Sequence, residues 1–130
     1  MKKYVFGFVL STIILFGTGC LGSTDEFLQT GTWKQYNMSP YMHNIELNFN
    51  SNGTLIFKNL TAAVTDTATY SLSAGGEHNF LEILGTPTVQ GQVPADYNGK
   101  WTIIRRVEGT FAISMQREGY GVLYLEFVNI

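Results

Sequence analysis

Apolar and polar residues alternate with period two along most of the chain from residue 31 to its end. The segment 45–49 reads Ile-Glu-Leu-Asn-Phe, and the alternation resumes at Leu55 after Ser51-Asn52-Gly53. Because successive side chains of a β-strand point to opposite faces, this pattern predicts strands with one buried face. Asn and Gly tolerate the positive φ angles of a tight turn, so Asn52-Gly53 predicts a hairpin between the two strands.

The same alternation predicts further strands, separated by short glycine-containing segments, at 67–73, 80–84, 101–106, 111–115 and 122–128. With a first strand near Trp33, the total is about eight, at the even spacing of a sandwich or barrel. The connections are too short for parallel crossovers, so sequential antiparallel pairing is expected. We predict an all-β domain over 31–130, a small up-and-down antiparallel β-barrel, with an open or two-sheet β-sandwich as the alternative.

The segment 86–99 departs from the alternation. Pro87 and Pro94 lie within it and cannot donate hydrogen bonds to a strand ladder. This segment is therefore predicted to be an edge strand or a long loop.

Residues 1–19 have the layout of a secretory signal peptide. Lys2 and Lys3 precede an apolar run at 4–16 that is too short to span a bilayer, and small residues follow up to Cys20. A cysteine directly after the cut site resembles the signal of bacterial lipoproteins, in which Cys20 is lipidated and becomes the first residue. The alternative is an ordinary signal peptide cut nearby, because Gly17 stands where such signals usually carry leucine.

Residues 20–30 follow as a short polar segment, which predicts a lipidated cysteine and a flexible tether. Its acidic pair Asp25-Glu26 is similar to the surface-export signals of Bacteroidetes lipoproteins, although a solvated linker explains the same residues. The expected location is thus the bacterial cell envelope, anchored through acyl chains such as palmitate on Cys20, most naturally at the outer membrane on its periplasmic or surface face.

Charge and cysteine content narrow the classes of partner. Removal of 1–19 takes away Lys2 and Lys3 and leaves six of the eight basic side chains against ten acidic ones, a net charge of −4. A mildly acidic domain lacks the basic surface that nucleic acid binding requires. Cys20 is the only cysteine, so once it carries lipid no disulfide can form.

Several short motifs at matching spacing make the chain similar to the lipocalin-like domains of small Bacteroidetes lipoproteins. The motifs are Gly31-Thr32-Trp33, the hairpin Phe49-Asn50-Ser51-Asn52-Gly53-Thr54, the strand Thr67-Ala68-Thr69-Tyr70-Ser71-Leu72, Trp101-Thr102-Ile103 and Leu125-Glu126-Phe127. The resemblance implies a small barrel over 31–130 that binds an apolar small molecule.

Aromatic residues are the candidate ligand contacts, because many of them fall on the apolar face of their strands. They are Trp33, Phe49, Phe57, Tyr70, Trp101, Phe111, Tyr124 and Phe127. The interior of an eight-stranded barrel is just wide enough to be filled by side chains or to hold one small ligand. Core packing is the alternative role for each of them, and Trp33 is expected to plug one end.

Catalytic and metal-binding patterns are weak in this sequence. His43 and His78 are far apart, and Glu46 and Glu126 alternate with large apolar neighbours, which places them on a solvated outer face. Adjacent residues point to opposite faces, so at most one of Arg105-Arg106 can enter the barrel, and a position at the strand end in water is favoured. We predict neither an enzyme nor a cofactor.

Two functions are compatible with this sequence. The first is a membrane-anchored lipoprotein whose barrel binds a small apolar ligand. The second is an accessory or scaffold protein that docks another envelope protein through its loops, with 61–66 and 86–99 as the expected contacts. The content of the barrel interior discriminates between them, because carriage requires a cavity.

Overall fold

The computed structural model describes residues 24–36 and 43–130. The predicted signal peptide and the predicted lipidation site Cys20 lie outside the described residues. Within them the chain forms eight β-strands: β1 (Thr32–Gln35), β2 (Ile45–Phe49), β3 (Thr54–Asn59), β4 (Val64–Gly75), β5 (His78–Leu84), β6 (Gly99–Val107), β7 (Thr110–Arg117) and β8 (Gly121–Asn129).

The eight strands close into one antiparallel barrel in sequential order. The barrel closes where β1 pairs with β8, with Trp33 opposite Asn129 and Gln35 opposite Phe127. The predicted up-and-down barrel is therefore confirmed, and the open or two-sheet alternative is wrong. Closure pairs β1 with β8, so the sheet has no free terminal strand.

The hydrophobic alternation sets which side chains fill the barrel. In β2, Ile45, Leu47 and Phe49 are buried while the residues between them are half-buried on the outer face. The β2–β3 hairpin turns at Gly53, whose φ of 83° strongly favours glycine. Asn52 stabilises the turn because its Oδ1 accepts a 3.2 Å hydrogen bond from the Thr54 backbone N–H.

The two ends of the barrel carry different connections. We call the end with the β2–β3, β4–β5 and β6–β7 hairpins the helix end, because residues 24–28 are helical and pack there. The opposite end, which carries the β3–β4 and β7–β8 turns and the segment 85–98, is the loop end. Segment 85–98 lies outside the strands, so of the two predicted alternatives it is the long loop.

Residues 24–30 differ from the tether that their polar composition predicts. Residues 24–28 are helical, and both Thr24 and Leu28 are buried at 1% exposure. Burial of one apolar and one hydroxyl side chain fixes this segment against the barrel. Any tether therefore lies before Thr24.

Strand β6 contains an irregularity where it pairs with β7. Ile103 lies opposite Ile113, but the register shifts before Arg105, which lies opposite Ala112. A bulge of this kind changes the face to which the following residues point. After the shift, Arg106 lies opposite the buried Phe111, and Arg105 belongs to the outer surface.

Candidate functional site

The interior of the barrel is occupied by aromatic side chains that contact one another. Seven of the eight predicted ligand contacts are buried, at no more than 8% exposure: Trp33, Phe49, Phe57, Tyr70, Trp101, Phe111 and Phe127. The Trp33 and Phe111 ring centroids lie 4.8 Å apart, edge to face, and Phe111 stacks on Phe127 at 4.8 Å. Each of these rings is packed against another ring, as in a protein core.

Tyr124 is the exception among the predicted ligand contacts. It lies on the outer surface and is 37% exposed, whereas its neighbours Leu123 and Leu125 point inward. Its placement follows from the period-two alternation of β8, which cannot direct adjacent residues to the same face. Tyr124 is therefore not part of the barrel interior.

Trp33 and the helical segment cover the helix end. The Trp33 indole Nε1–H donates a 2.8 Å hydrogen bond to the Leu28 carbonyl, and the Phe27 ring lies 5.0 Å from the indole. The indole is fully buried, so its polar atom is satisfied without water. Trp33 plugs this end as predicted, and Leu28 closes over it.

Tyr70 links the helical segment to the β2–β3 hairpin. Its hydroxyl lies 2.7 Å from the Asn50 carbonyl and 3.0 Å from Asp25 Oδ1, and it accepts a hydrogen bond from Gln29 Nε2 at 3.0 Å. Burial, followed by the nearby Asp25 carboxylate, raises the pKa of Tyr70, although Gln29 opposes the shift. The hydroxyl therefore stays protonated and acts as a structural link.

Tyr97 covers the loop end from the long loop 85–98. It is 1% exposed, its hydroxyl donates to Gln35 Oε1, and its carbonyl accepts a 2.9 Å hydrogen bond from Trp101 Nε1. Its ring lies 5.1 Å from that of Phe57. Burial raises the pKa of Tyr97 far above its usual value, against a smaller lowering by Gln35.

A second set of hydrogen bonds at the loop end joins the buried amides of Gln92 and Asn59. Gln92 Nε2 donates to the carbonyls of Pro94 and Ala95, at 2.7 and 3.1 Å, which fixes the curve of the loop. Gln92 Oε1 accepts a 2.5 Å hydrogen bond from Asn59 Nδ2, which also lies 2.8 Å from His43 Nδ1. These hydrogen bonds pair Gln92 with Asn59 and with the loop backbone, and they help to cover the loop end.

Arg117 holds the base of the long loop. Its Nη1 donates to the Asp96 carbonyl at 2.9 Å and lies 3.5 Å from Asp96 Oδ1, and its Nη2 donates to the Asn98 carbonyl. The guanidinium also lies 5.9 Å from the centre of the Trp101 ring. Arg117 therefore has a structural role, because it holds the loop that covers the barrel.

Outside the barrel, five residues form what we call the tyrosine face: Tyr36, Arg105, Val122, Tyr124 and Glu126. Arg105 Nη2 lies 3.2 Å from Glu126 Oε2, and the Tyr124 hydroxyl donates a 2.5 Å hydrogen bond to Glu126 Oε1. The outward-facing Ala112 lies opposite both Arg105 and Glu126 and is fully buried. The predicted outer position of Glu126 is confirmed, and Arg105 does not enter the barrel.

Hydrogen bonds within the tyrosine face shift the pKa values of its members. The hydroxyls of Tyr124 and Tyr36, with the charge of Arg105, lower the pKa of Glu126. The hydrogen bond to that carboxylate in turn raises the pKa values of Tyr36 and Tyr124. At neutral pH the face therefore presents an ionised Arg–Glu pair between two protonated phenols.

Other sequence candidates remain separate in the structure. His43 is half-buried against Asn59, whereas His78 is exposed at the start of β5. Within residues 24–36 and 43–130, no three His, Cys, Asp or Glu side chains come together in a way that could hold a metal ion. No helix of the described part of the chain is long and apolar enough to cross a membrane.

The two predicted contact loops differ in structure. Of the segment 61–66, Val64 to Asp66 already belong to β4, and Thr61 to Ala63 form an exposed turn. Most of the segment 86–99 packs over the loop end and covers it. Gln35, Gln92 and Leu28 were not predicted from the sequence. Gln35 has one signal there, because it is a polar residue at a position of β1 that alternation directs inward.

Two open grooves lie at the helix end. One, of about 590 Å³, lies between the β4–β5 hairpin and the end of β6 and is bordered by Thr24, His78 and Arg106. The other, of about 560 Å³, lies beside the β6–β7 hairpin and is bordered by Phe27 and Val107. Both open outward and neither reaches the aromatic interior.

Comparisons of the chain with protein-family models, with curated proteins and with solved structures find no match.

Proposed function

We propose that this protein is a lipid-anchored, non-enzymatic accessory protein of the bacterial cell envelope, with a filled barrel that docks another envelope protein through its outer surface. The observation that carries the proposal is the interior. Every predicted ligand-contacting ring except Tyr124 is buried against another aromatic ring, and Leu28 and Tyr97 cover the two ends. A ligand would have to displace core side chains, so docking is favoured over carriage of a small apolar molecule.

The tyrosine face is the proposed docking surface. Tyr36 is 47% exposed and Val122 is 72% exposed, beside Tyr124 and the Arg105–Glu126 pair. Tyrosine and arginine are enriched in protein interfaces because they combine large contact area with hydrogen bonding. Tyr124 and Arg105 both contact the Glu126 carboxylate and hold the face in a fixed geometry. A fixed geometry lowers the entropic cost of docking.

Membrane anchoring through Cys20 is the second part of the proposal, and the lipoprotein-like order of residues 1–20 supports it. The test is metabolic labelling with a clickable fatty acid, with Cys20→Ser as the control. Label on the wild type and its loss in Cys20→Ser are expected. An unlabelled wild type would remove the anchor from the proposal.

Carriage and docking are separated by native mass spectrometry of the lipidated protein released from detergent. Docking predicts a mass equal to that of the lipidated chain. An additional non-covalent mass that disappears on denaturation would instead support a small-molecule ligand.

The docking surface itself is tested by photocrosslinking in cells. A photoreactive amino acid at Tyr124 is expected to capture an envelope protein, whereas the same residue at Thr67, which is exposed on β4, is not. Equal capture from both positions, or none from Tyr124, would refute the tyrosine face as the docking surface.

A further inference from the structure

The described chain enters the barrel domain at a fixed point of the helix end. The Thr24 hydroxyl accepts hydrogen bonds from Arg106 Nη1 at 2.7 Å and from Asn79 Nδ2 at 3.0 Å, and Thr24 is 1% exposed. These donors lie on β6 and β5, on the two sides of the larger groove. Thr24 is therefore held by two strands of the barrel.

Cys20 can reach only a short distance from this point. Four peptide units separate it from Thr24, so their Cα atoms are at most about 15 Å apart. Strand β8 has nine residues, and a tilted strand of that length gives a barrel about 20 Å tall. A lipid on Cys20 is therefore close to the helix end and cannot lie beyond the loop end.

We infer that the helix end of the barrel rests on the membrane surface. This inference depends on the anchor at Cys20 that is part of the proposed function. Residues 21–23 are the whole connection between the lipidated residue and a buried one, so the bilayer lies next to the hairpins that surround Thr24. The loop end and the neighbouring part of the tyrosine face then point away from the membrane, where another protein can approach them.

The side chains exposed at the helix end suit a zwitterionic bilayer surface. Val107 at the β6–β7 hairpin is 55% exposed and Ile130, next to the end of β8, is 64% exposed. Apolar side chains of this size gain free energy at the boundary of headgroups and acyl chains. The Arg106 guanidinium lies 5.7 Å from the Phe27 ring and borders both grooves, where a lipid phosphate can accept a hydrogen bond from it.

Acidic residues at the same end exclude a purely electrostatic contact. Glu77 borders the larger groove and Glu108 borders the smaller one, so the end carries both signs of charge. Phosphatidylethanolamine, which offers both an ammonium and a phosphate, matches this mixture. The contact is therefore expected to need the acyl anchor and to tolerate salt.

The experiment uses single cysteines as reporters in the full lipidated protein. Lipidation consumes the thiol of Cys20, the only natural cysteine, so Val107→Cys and Leu60→Cys each supply one reactive thiol. Leu60 is the matched control, because it is 48% exposed at the loop end. Each variant is labelled with an environment-sensitive fluorophore and reconstituted into vesicles of phosphatidylethanolamine with a minor fraction of phosphatidylglycerol.

The expected result is protection at the helix end alone. Iodide in the water should quench the Val107 label about two-fold less than the Leu60 label, and lipids with a nitroxide near the headgroup should quench it more. Equal quenching of both labels in vesicles that float with the protein would overturn the orientation and leave the anchor intact. Protein that does not float with the vesicles would overturn both the anchor and the orientation.

Discussion

The two ends of the barrel are covered in chemically different ways. At the helix end, Leu28 and Phe27 lie over the Trp33 indole, and one hydrogen bond to the Leu28 carbonyl satisfies its polar atom. At the loop end, the buried Tyr97 hydroxyl donates to Gln35 Oε1, and the buried Gln92 Oε1 accepts a hydrogen bond from Asn59 Nδ2. One cover depends mainly on apolar burial and the other on hydrogen bonds between buried groups.

This difference determines how each end responds to substitution. Apolar burial is non-directional and scales with the area removed from water. A buried hydrogen-bond network depends on geometry, because removal of one partner leaves another polar group without its bond. The helix end should therefore respond to a loss of volume and the loop end to the loss of a single oxygen atom.

The largest effect is expected from Trp33→Ala at the helix end. The change removes a fully buried indole and leaves a cavity, so the free energy of unfolding should fall by about 3–5 kcal/mol in urea denaturation. Tyr120→Ala, which shortens an aromatic side chain that is 43% exposed, is the matched control and should change it little. A loss below about 1 kcal/mol for Trp33→Ala would contradict its role as a plug.

The next effect is expected from Tyr97→Phe, which removes one buried hydroxyl at the loop end. The donor to Gln35 Oε1 is lost, and the expected cost is about 1–3 kcal/mol in the same assay. Tyr70→Phe makes the same chemical change at the helix end, where the hydroxyl is only partly buried, and should cost less. A greater loss for Tyr70→Phe would break the proposed distinction between the ends.

The stability of the protein at alkaline pH provides a second test of the loop end. The folded state raises the pKa of Tyr97 above its unfolded value near 10, because burial disfavours the phenolate. Below pH 10 the burial of Tyr97 does not reduce the free energy of unfolding. Above pH 10 the free energy of unfolding falls, since the unfolded state then ionises and the folded state does not. Stability curves from pH 9 to 11 should fall less steeply for Tyr97→Phe than for the wild type, and parallel curves would refute this role of burial.

The smallest effect is expected from Glu126→Gln, on the surface between the two ends. The folded state lowers the pKa of Glu126 below its ordinary 4.5, so its contribution is present above that pH and is lost as the pH falls through the folded value. Thermal unfolding midpoints of wild type and variant should differ slightly at neutral pH and converge in acid. A difference that grows in acid would show that the carboxylate does not stabilise the folded state.

The sequence predicts the barrel well because most strands bury one face. In β2 and β8 the alternation directly identifies inward residues such as Leu47 and Leu125, and the short hairpins dictate the antiparallel order. The same rule places Tyr124 outside. Treating Tyr124 as an inward aromatic ignored the position of its neighbours, which point into the barrel.

The covers of the two ends could not be predicted in the same way. Loop 85–98 has no periodicity, and Tyr97 meets Gln35 across 62 positions of sequence. Helical residues 24–28 are too few to show a helical pattern, and only tertiary contacts at Thr24 and Leu28 fix them. Local patterns therefore predicted the wall of the barrel and missed what covers it.

The pairing of β1 with β8 has a consequence for how the chain folds. Trp33 in β1 lies opposite Asn129 at the end of β8. The barrel therefore cannot close until β8 has been synthesised, and contacts this distant in sequence form slowly. Until β8 arrives, β1 and β7 each present an open edge that can pair with another copy. A chain cut before Gly121 would keep both edges permanently, so loss of β8 should promote aggregation.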